Sequence, residues 1–225
     1  MTFSLIGRCA ETGAFGVAIT TSSICVGARC PHVRAGAGAV ATQNITDPAL
    51  GPAMLDRLEA GMNAEDALAG AMEGQDNLAF RQLTAIDKHG NTASFTGDNI
   101  LGTNAVNAGN DCFAAGNLLS SSDVVNAMTS GFEQSAGQHI AARLLAGLQA
   151  GVDAGGEEGP THSAALLVAH EQSFPLVDLR VDWDDSDPVA TLQRLWKDYE
   201  PQMNDYLVRA VNPTLAPSYG VPGDE

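Results

Sequence analysis

The chain has 225 residues, with 27 acidic against 11 basic side chains and a formal net charge of −16. So few Lys and Arg argue against a phosphate-backbone partner or an anionic membrane surface, both of which are held by clustered cations. Hydrophobic residues make up 44% and aromatics only 5%, so the core must be built mainly from Ala, Val, Leu and Ile packed closely through small side chains.

The elements follow in chain order. Residues 2–9 and 15–21 are β-rich runs joined by Glu11-Thr12-Gly13-Ala14, whose glycine can take positive φ, so a hairpin is predicted. A further extended piece covers 38–42. Asp47-Pro48 reads as an N-cap before proline at the first helical position and opens a helix that Gly61 closes; Asn63 caps the next one in the same way. Residues 81–86 and 92–96 flank the turn Lys88-His89-Gly90-Asn91 as a second hairpin, and 112–116 reads as a short strand. Apolar residues at helical spacing (Val125, Met128, Phe132, then Ile140, Leu144, Leu148) predict helices over 121–135 and 138–152. A Gly-rich loop at 155–160 leads into strands over 162–168 and 176–181, and Asp187-Pro188 starts a last helix through Leu192, Trp196 and Tyr199.

Strands arriving as hairpins with helices in pairs between them imply antiparallel sheets covered by helices, an α+β organisation in a single domain over 2–212 with a Pro-rich tail at 213–225. Cys9, Cys25, Cys30 and Cys112 show no C-x-x-C spacing and read as buried free thiols of a reducing compartment. Neither a signal-like start nor an apolar run of about 18 residues is present, which predicts a cytoplasmic protein. The five histidines lack metal-ligand spacing and no phosphate-binding glycine loop is found, so no metal and no cofactor is expected.

The second residue carries the chemistry. Once an aminopeptidase removes Met1, as is common before a small residue, Thr2 presents a hydroxyl and a free α-amine together, a nucleophile and its base on one residue. An α-amine titrates near 7.7–8.0 against about 10.4 for lysine, a difference of about 3.5 kcal/mol in readiness to accept a proton at neutral pH.

The stretches TFSLIGRCAETGAFGVAITTSSICVG, RAGAGAVATQN, AAGNLL and SAALLV, in this order, resemble a domain-of-unknown-function family placed within the N-terminal nucleophile (Ntn) hydrolase superfamily, from Thr2 to about Leu195. The resemblance implies a four-layer αββα sandwich, two antiparallel sheets face to face with helices outside, and amide hydrolysis by Thr2. It also implies a homodimer or larger assembly. His162, before SAALL, departs from the amide-bearing or basic residue expected there, and the loop before it is less basic than in the family.

Lysines near the nucleophile are absent: Lys88 lies in a turn and Lys197 in the last helix. Arg34 is the positional substitute, with an electrostatic or substrate-carboxylate role, since guanidinium stays protonated, and a surface or ion-paired arginine as its alternative. Asn117, after glycine at a strand end, is the candidate oxyanion donor, with a turn role as its alternative. Ser22 and Ser23 are candidates for orienting the Thr2 amine or binding substrate, and Thr42 and Gln43 for binding substrate amides. The expected activity is cleavage of a small-molecule or short-peptide amide, in one variant a cell-wall peptide fragment. The rival is a catalytically silent binding or scaffold protein with the same fold.

Overall fold

A computed structural model describes residues 1–223; the last two residues of the predicted tail, 224 and 225, lie outside the described residues. The hairpin predicted at the start forms from β1 (Thr2–Arg8) and β2 (Phe15–Thr21), in the register Thr2↔Thr21 through Arg8↔Phe15. On the other side of β1 lies β8 (Cys112–Asn117), edged by β7 (Ala105–Gly109). On the other side of β2 lies β9 (Ser163–Ala169), edged by β10 (Val177–Val181). All pairings are antiparallel, in the order β10-β9-β2-β1-β8-β7. A second antiparallel sheet has the order β3-β4-β5-β6, from Pro31–Arg34, Gly38–Asn44, Arg81–Asp87 and Thr92–Thr96.

Helices α1 (Leu50–Glu59) and α2 (Ala64–Met72) pack on the outer face of the four-stranded sheet. The outer face of the six-stranded sheet carries α3 (Asp123–Gln134), α4 (Ile140–Asp153) and α5 (Pro188–Tyr199), and α6 (Met203–Val211) follows α5. The inner faces of the two sheets meet. Because successive strand residues point to opposite faces, β1 sends Phe3 and Leu5 to the helices and Ser4 and Ile6 toward the other sheet. Covered on both sides, such a strand needs few polar residues, which is why β1 and β2 read as nearly continuous apolar runs.

The layer between the sheets has two halves. Ile6, Phe15, Val17, Ala39, Ala41, Ile86 and Phe113 form an apolar cluster. Towards the start of β1 the same strands supply Thr2, Ser4, Thr21, Gln43, Gln82 and Asn117, all buried.

Two edge strands and one helix go beyond the sequence reading. The strand β3 is four residues opened by proline, an edge position where the missing N–H costs no ladder bond. The edge strand β7 (AVNAG) is small and half exposed. Helix α6 follows α5 after a short 3-10 turn, and its Arg209 stacks on Tyr219 (3.8 Å to the ring centroid) and bonds the Pro217 carbonyl at 3.1 Å, drawing the tail back onto the helix. Asp47 does not cap α1 directly: it bonds the Ala49 N–H at 3.0 Å in a turn, and the helix begins at Leu50. The caps at Asn63 (to Asp66 N–H, 2.9 Å) and Asp187 (to Ala190 N–H, 2.9 Å) are as predicted. All four cysteines are free, but only Cys30 and Cys112 are buried; Cys9 and Cys25 are half-buried. Among the described residues no helix is long and apolar enough to cross a membrane.

Candidate active site

Thr2 opens β1 in the middle of the six-stranded sheet, in register with Thr21 on one side and Asn117 on the other, and is only 6% exposed. Its hydroxyl donates to the Met1 carbonyl at 2.6 Å and lies 3.0 Å from Thr21 Oγ1. The Thr21 hydroxyl donates to the same Met1 oxygen. Two buried hydroxyls from adjacent strands therefore converge on one acyl oxygen.

Behind this pair runs a chain of amides. The Ser4 hydroxyl donates to Gln43 Oε1 (2.7 Å) and Gln43 Nε2 donates to Gln82 Oε1 (2.7 Å). Asn117 Nδ2 also donates to Gln82 Oε1 (3.2 Å), while Gln82 Nε2 donates to the Gly116 carbonyl (3.1 Å). The Gly116 carbonyl accepts only, so it fixes which end of the Gln82 amide faces it, and every other amide in the chain follows. Asn117 must then direct its nitrogen at Gln82. One of its N–H groups remains uncommitted, and its Oδ1 is buried with no partner.

The residue after Asn117 is Leu118 at φ 51, a left-handed conformation that costs a bulky L-residue roughly 1–2 kcal/mol. Hydrogen bonds from Leu118 N–H to Leu101 O and from Glu158 N–H to Leu118 O (both 3.0 Å), with a bridge between Leu119 and Glu157, hold it there. This kink brings the loop around 155–161 against the end of β8.

The loop delivers Glu157, 7% exposed, with neither carboxylate oxygen hydrogen-bonded. Burial pushes its acid up to about 8; the Met1 α-ammonium and the nearby Ser22 N–H, which closes no hydrogen bond with it, oppose that rise.

The residues proposed from sequence divide accordingly. Asn117 and Gln43 come together through the Gln82 amide, and Thr2 stands in register with Asn117 on the neighbouring strand. Ser22 is half-buried beside Glu157, and Ser23 is exposed, its N–H 3.4 Å from Thr21 Oγ1 and its carbonyl accepting from Ser163 Oγ at 2.6 Å. Thr42 is one residue out of phase with Gln43, so its side chain faces away from the first sheet and donates to the Asp47 carbonyl at 3.2 Å. Arg34 is not near Thr2. It closes β3 at the opposite end of the molecule, bonded to Asp56 (2.8 Å) and Glu59 (2.7 Å) of α1. His162 stacks on Trp183 with ring centroids 4.4 Å apart, and its backbone N–H donates to the Thr21 carbonyl at 2.8 Å, a supporting position behind Thr21.

Sequence reasoning missed Thr21, Gln82 and Glu157. Thr21 shares strand parity with the inward-facing Val17 and Ile19, and Gln82 is a lone amide in a buried strand, so both left a trace. Glu157 sits in a Gly-rich loop and left none. No group of three His, Cys, Asp or Glu that could hold a metal ion occurs among the described residues.

Fold and site together define an α+β protein of two antiparallel sheets with a buried polar cluster, centred on Thr2, at one end of the layer between them. By the match of a family model to residues 2–192, the chain belongs to the family of unknown function DUF1028. A crystal structure of a protein of that family from Silicibacter pomeroyi is 33% identical, covers 91% of this chain and 89% of its own, and superposes with a TM-score of 0.83. Anbu (ancestral beta-subunit) from Yersinia bercovieri is 10% identical over 90% of this chain and 96% of that one, with a TM-score of 0.41. A mutant Anbu from a Hyphomicrobium strain is 14% identical over 90% and 96%, with a TM-score of 0.42. No curated protein matches the chain.

Proposed function

We propose that the chain, once freed of Met1, is an Ntn-type amidohydrolase with the αββα sandwich of that superfamily, cleaving a small amide or peptide-like C–N bond. What supports this is the convergence of the Thr2 and Thr21 hydroxyls on one acyl oxygen in a buried polar site. The Thr2 α-amine takes the hydroxyl proton as Oγ1 attacks the substrate carbonyl carbon. The C–N bond then breaks, the leaving amine receives that proton, and a Thr2 ester remains. Water activated by the same amine cleaves the ester, releasing the acid and restoring the hydroxyl. Thr21 holds the acyl oxygen, and the spare Asn117 N–H serves the developing oxyanion, where one such donor is typically worth about 3 kcal/mol. Gln43 and Gln82 act through Asn117 by fixing its amide.

A second reading, a silent binding protein of the same fold, applies to any form that keeps Met1, because the Thr2 nitrogen is then an amide and accepts no proton. Intact-mass measurement of untagged protein separates the two. With Met1 absent, Thr2→Ala is expected to lower turnover of a panel of amides by a factor on the order of 10³ or more while the thermal melt is unchanged. Equal turnover by that variant rejects Thr2 as the nucleophile.

A further inference from the structure

Residue 1 is itself an aminoacyl group seated in this site. Its carbonyl oxygen accepts from Thr2 and Thr21. Its half-buried side chain runs beside Gly159, with the terminal methyl 3.1 Å from where a Cβ on that residue would stand. Its α-ammonium interacts electrostatically with Glu157 and with Cys30. An acyl group carried on the Thr2 hydroxyl would be attached to the same residue, beside the position of this carbonyl.

Glu157 is the side chain the proposed chemistry leaves unused. A buried carboxylate without hydrogen bonds is costly, and the Met1 ammonium is a cation that eases that cost. When Met1 departs, its ammonium departs with it and the Thr2 α-amine becomes free one residue along, committed to the hydroxyl; the vacated corner holds the Glu157 carboxyl with its two unpartnered oxygens, a glycine wall and the acyl-oxygen donors.

We propose that this corner is a substrate subsite for a free α-ammonium: the enzyme takes aminoacyl amides or peptide N-termini rather than N-acylated amides, with Glu157 as counter-ion to the substrate ammonium and Gly159 keeping open the channel for its side chain. The inference rests on the reading of Thr2 as the terminal residue. An N-acetylated substrate brings no cation and adds bulk where the carboxyl lies, so it gives Glu157 no partner of its own. A larger residue at 159 closes the channel to long side chains and spares short ones.

Binding tests this apart from catalysis. Met1-free protein carrying Thr2→Ala holds an amide without cleaving it; calorimetry compares L-methionine amide with N-acetyl-L-methionine amide, with and without Glu157→Gln. The free amine is expected to bind at least tenfold tighter, and Glu157→Gln is expected to erase that preference. Gly159→Val is expected to weaken L-methionine amide while sparing glycine amide. Equal or tighter binding of the acetylated compound, no measurable binding of either, or a preference that survives Glu157→Gln each overturns the proposal. So does a Glu157→Gln effect confined to the pH profile of turnover in the Thr2 enzyme, because Glu157 then serves only the Thr2 amine. A retained amine preference in a protein whose Thr2 form is inactive rejects the catalytic reading and leaves the subsite standing.

Discussion

The two halves of the layer between the sheets are built by the same strands and differ only in side-chain chemistry. At one end, Ile6, Phe15, Val17, Ala39, Ala41, Ile86 and Phe113 fill the space with carbon. At the other, strand positions of the same parity hold Thr2, Ser4, Thr21, Gln43, Gln82 and Asn117. The polar half satisfies most of its groups internally, yet leaves Asn117 Oδ1 and both Glu157 oxygens unpartnered. A layer shaped for stability alone gains nothing from those three atoms, since apolar groups of similar volume are as good or better. The apolar half holds the sheets together, and the polar half carries unpartnered groups of the kind a ligand satisfies.

Substitutions sharpen this contrast. The largest loss of stability is expected in the apolar half, where Phe15→Ala leaves a cavity and costs about 3–5 kcal/mol by denaturant unfolding. A loss under about 1 kcal/mol would show that half to be loosely packed. Next comes Glu157→Gln, with an effect set by pH. The folded acid is raised above its ordinary value of 4.5, so in acid both states are protonated and the carboxyl carries no penalty. As pH rises past the ordinary value, the unfolded chain releases the proton and the folded one keeps it, so wild-type stability falls until the folded group ionises as well. Glu157→Gln is therefore expected to match wild type below pH 4.5 and to be more stable at pH 8; melts that run parallel across that range would contradict this.

In the polar half, Gln82→Leu strips the acceptor from Gln43 and Asn117 and the donor from Gly116 O. The expected cost is about 1–3 kcal/mol, with a larger proportional loss of turnover than of stability because Asn117 is set free to turn. Smallest is Arg34→Ala, whose surface ion pairs with Asp56 and Glu59 are worth about 1 kcal/mol or less. Turnover is expected to be unchanged; a loss of activity would bring Arg34 back into the site.

The parts of the molecule legible in the sequence were those whose cause is local. The β1/β2 and β5/β6 hairpins follow from turn residues between β-rich runs, and α3, α4 and α5 from helical spacing and caps. The edge strands β3 and β7 escaped because proline, small residues and half exposure leave no apolar alternation. Thr2 stood out because a hydroxyl and, once Met1 is removed, an amine would share one residue. Gln82 and Glu157 were not, because their meaning depends on which strands meet: Gln82 reaches Asn117 only through the apposition of two sheets, and Glu157 reaches the chain start only through the kink at Leu118. Arg34 was placed by position in the chain, and its partners on α1 exist only in the folded molecule.

The most direct measurement is the intact mass and peptide map of untagged protein after exposure to a β-lactone, which acylates an activated hydroxyl. The expected result is a chain lacking Met1 and carrying one acyl group, mapped to Thr2 and absent from Thr2→Ala. A chain that retains Met1, or a label found anywhere but Thr2, would contradict the assignment of the polar half as a catalytic site.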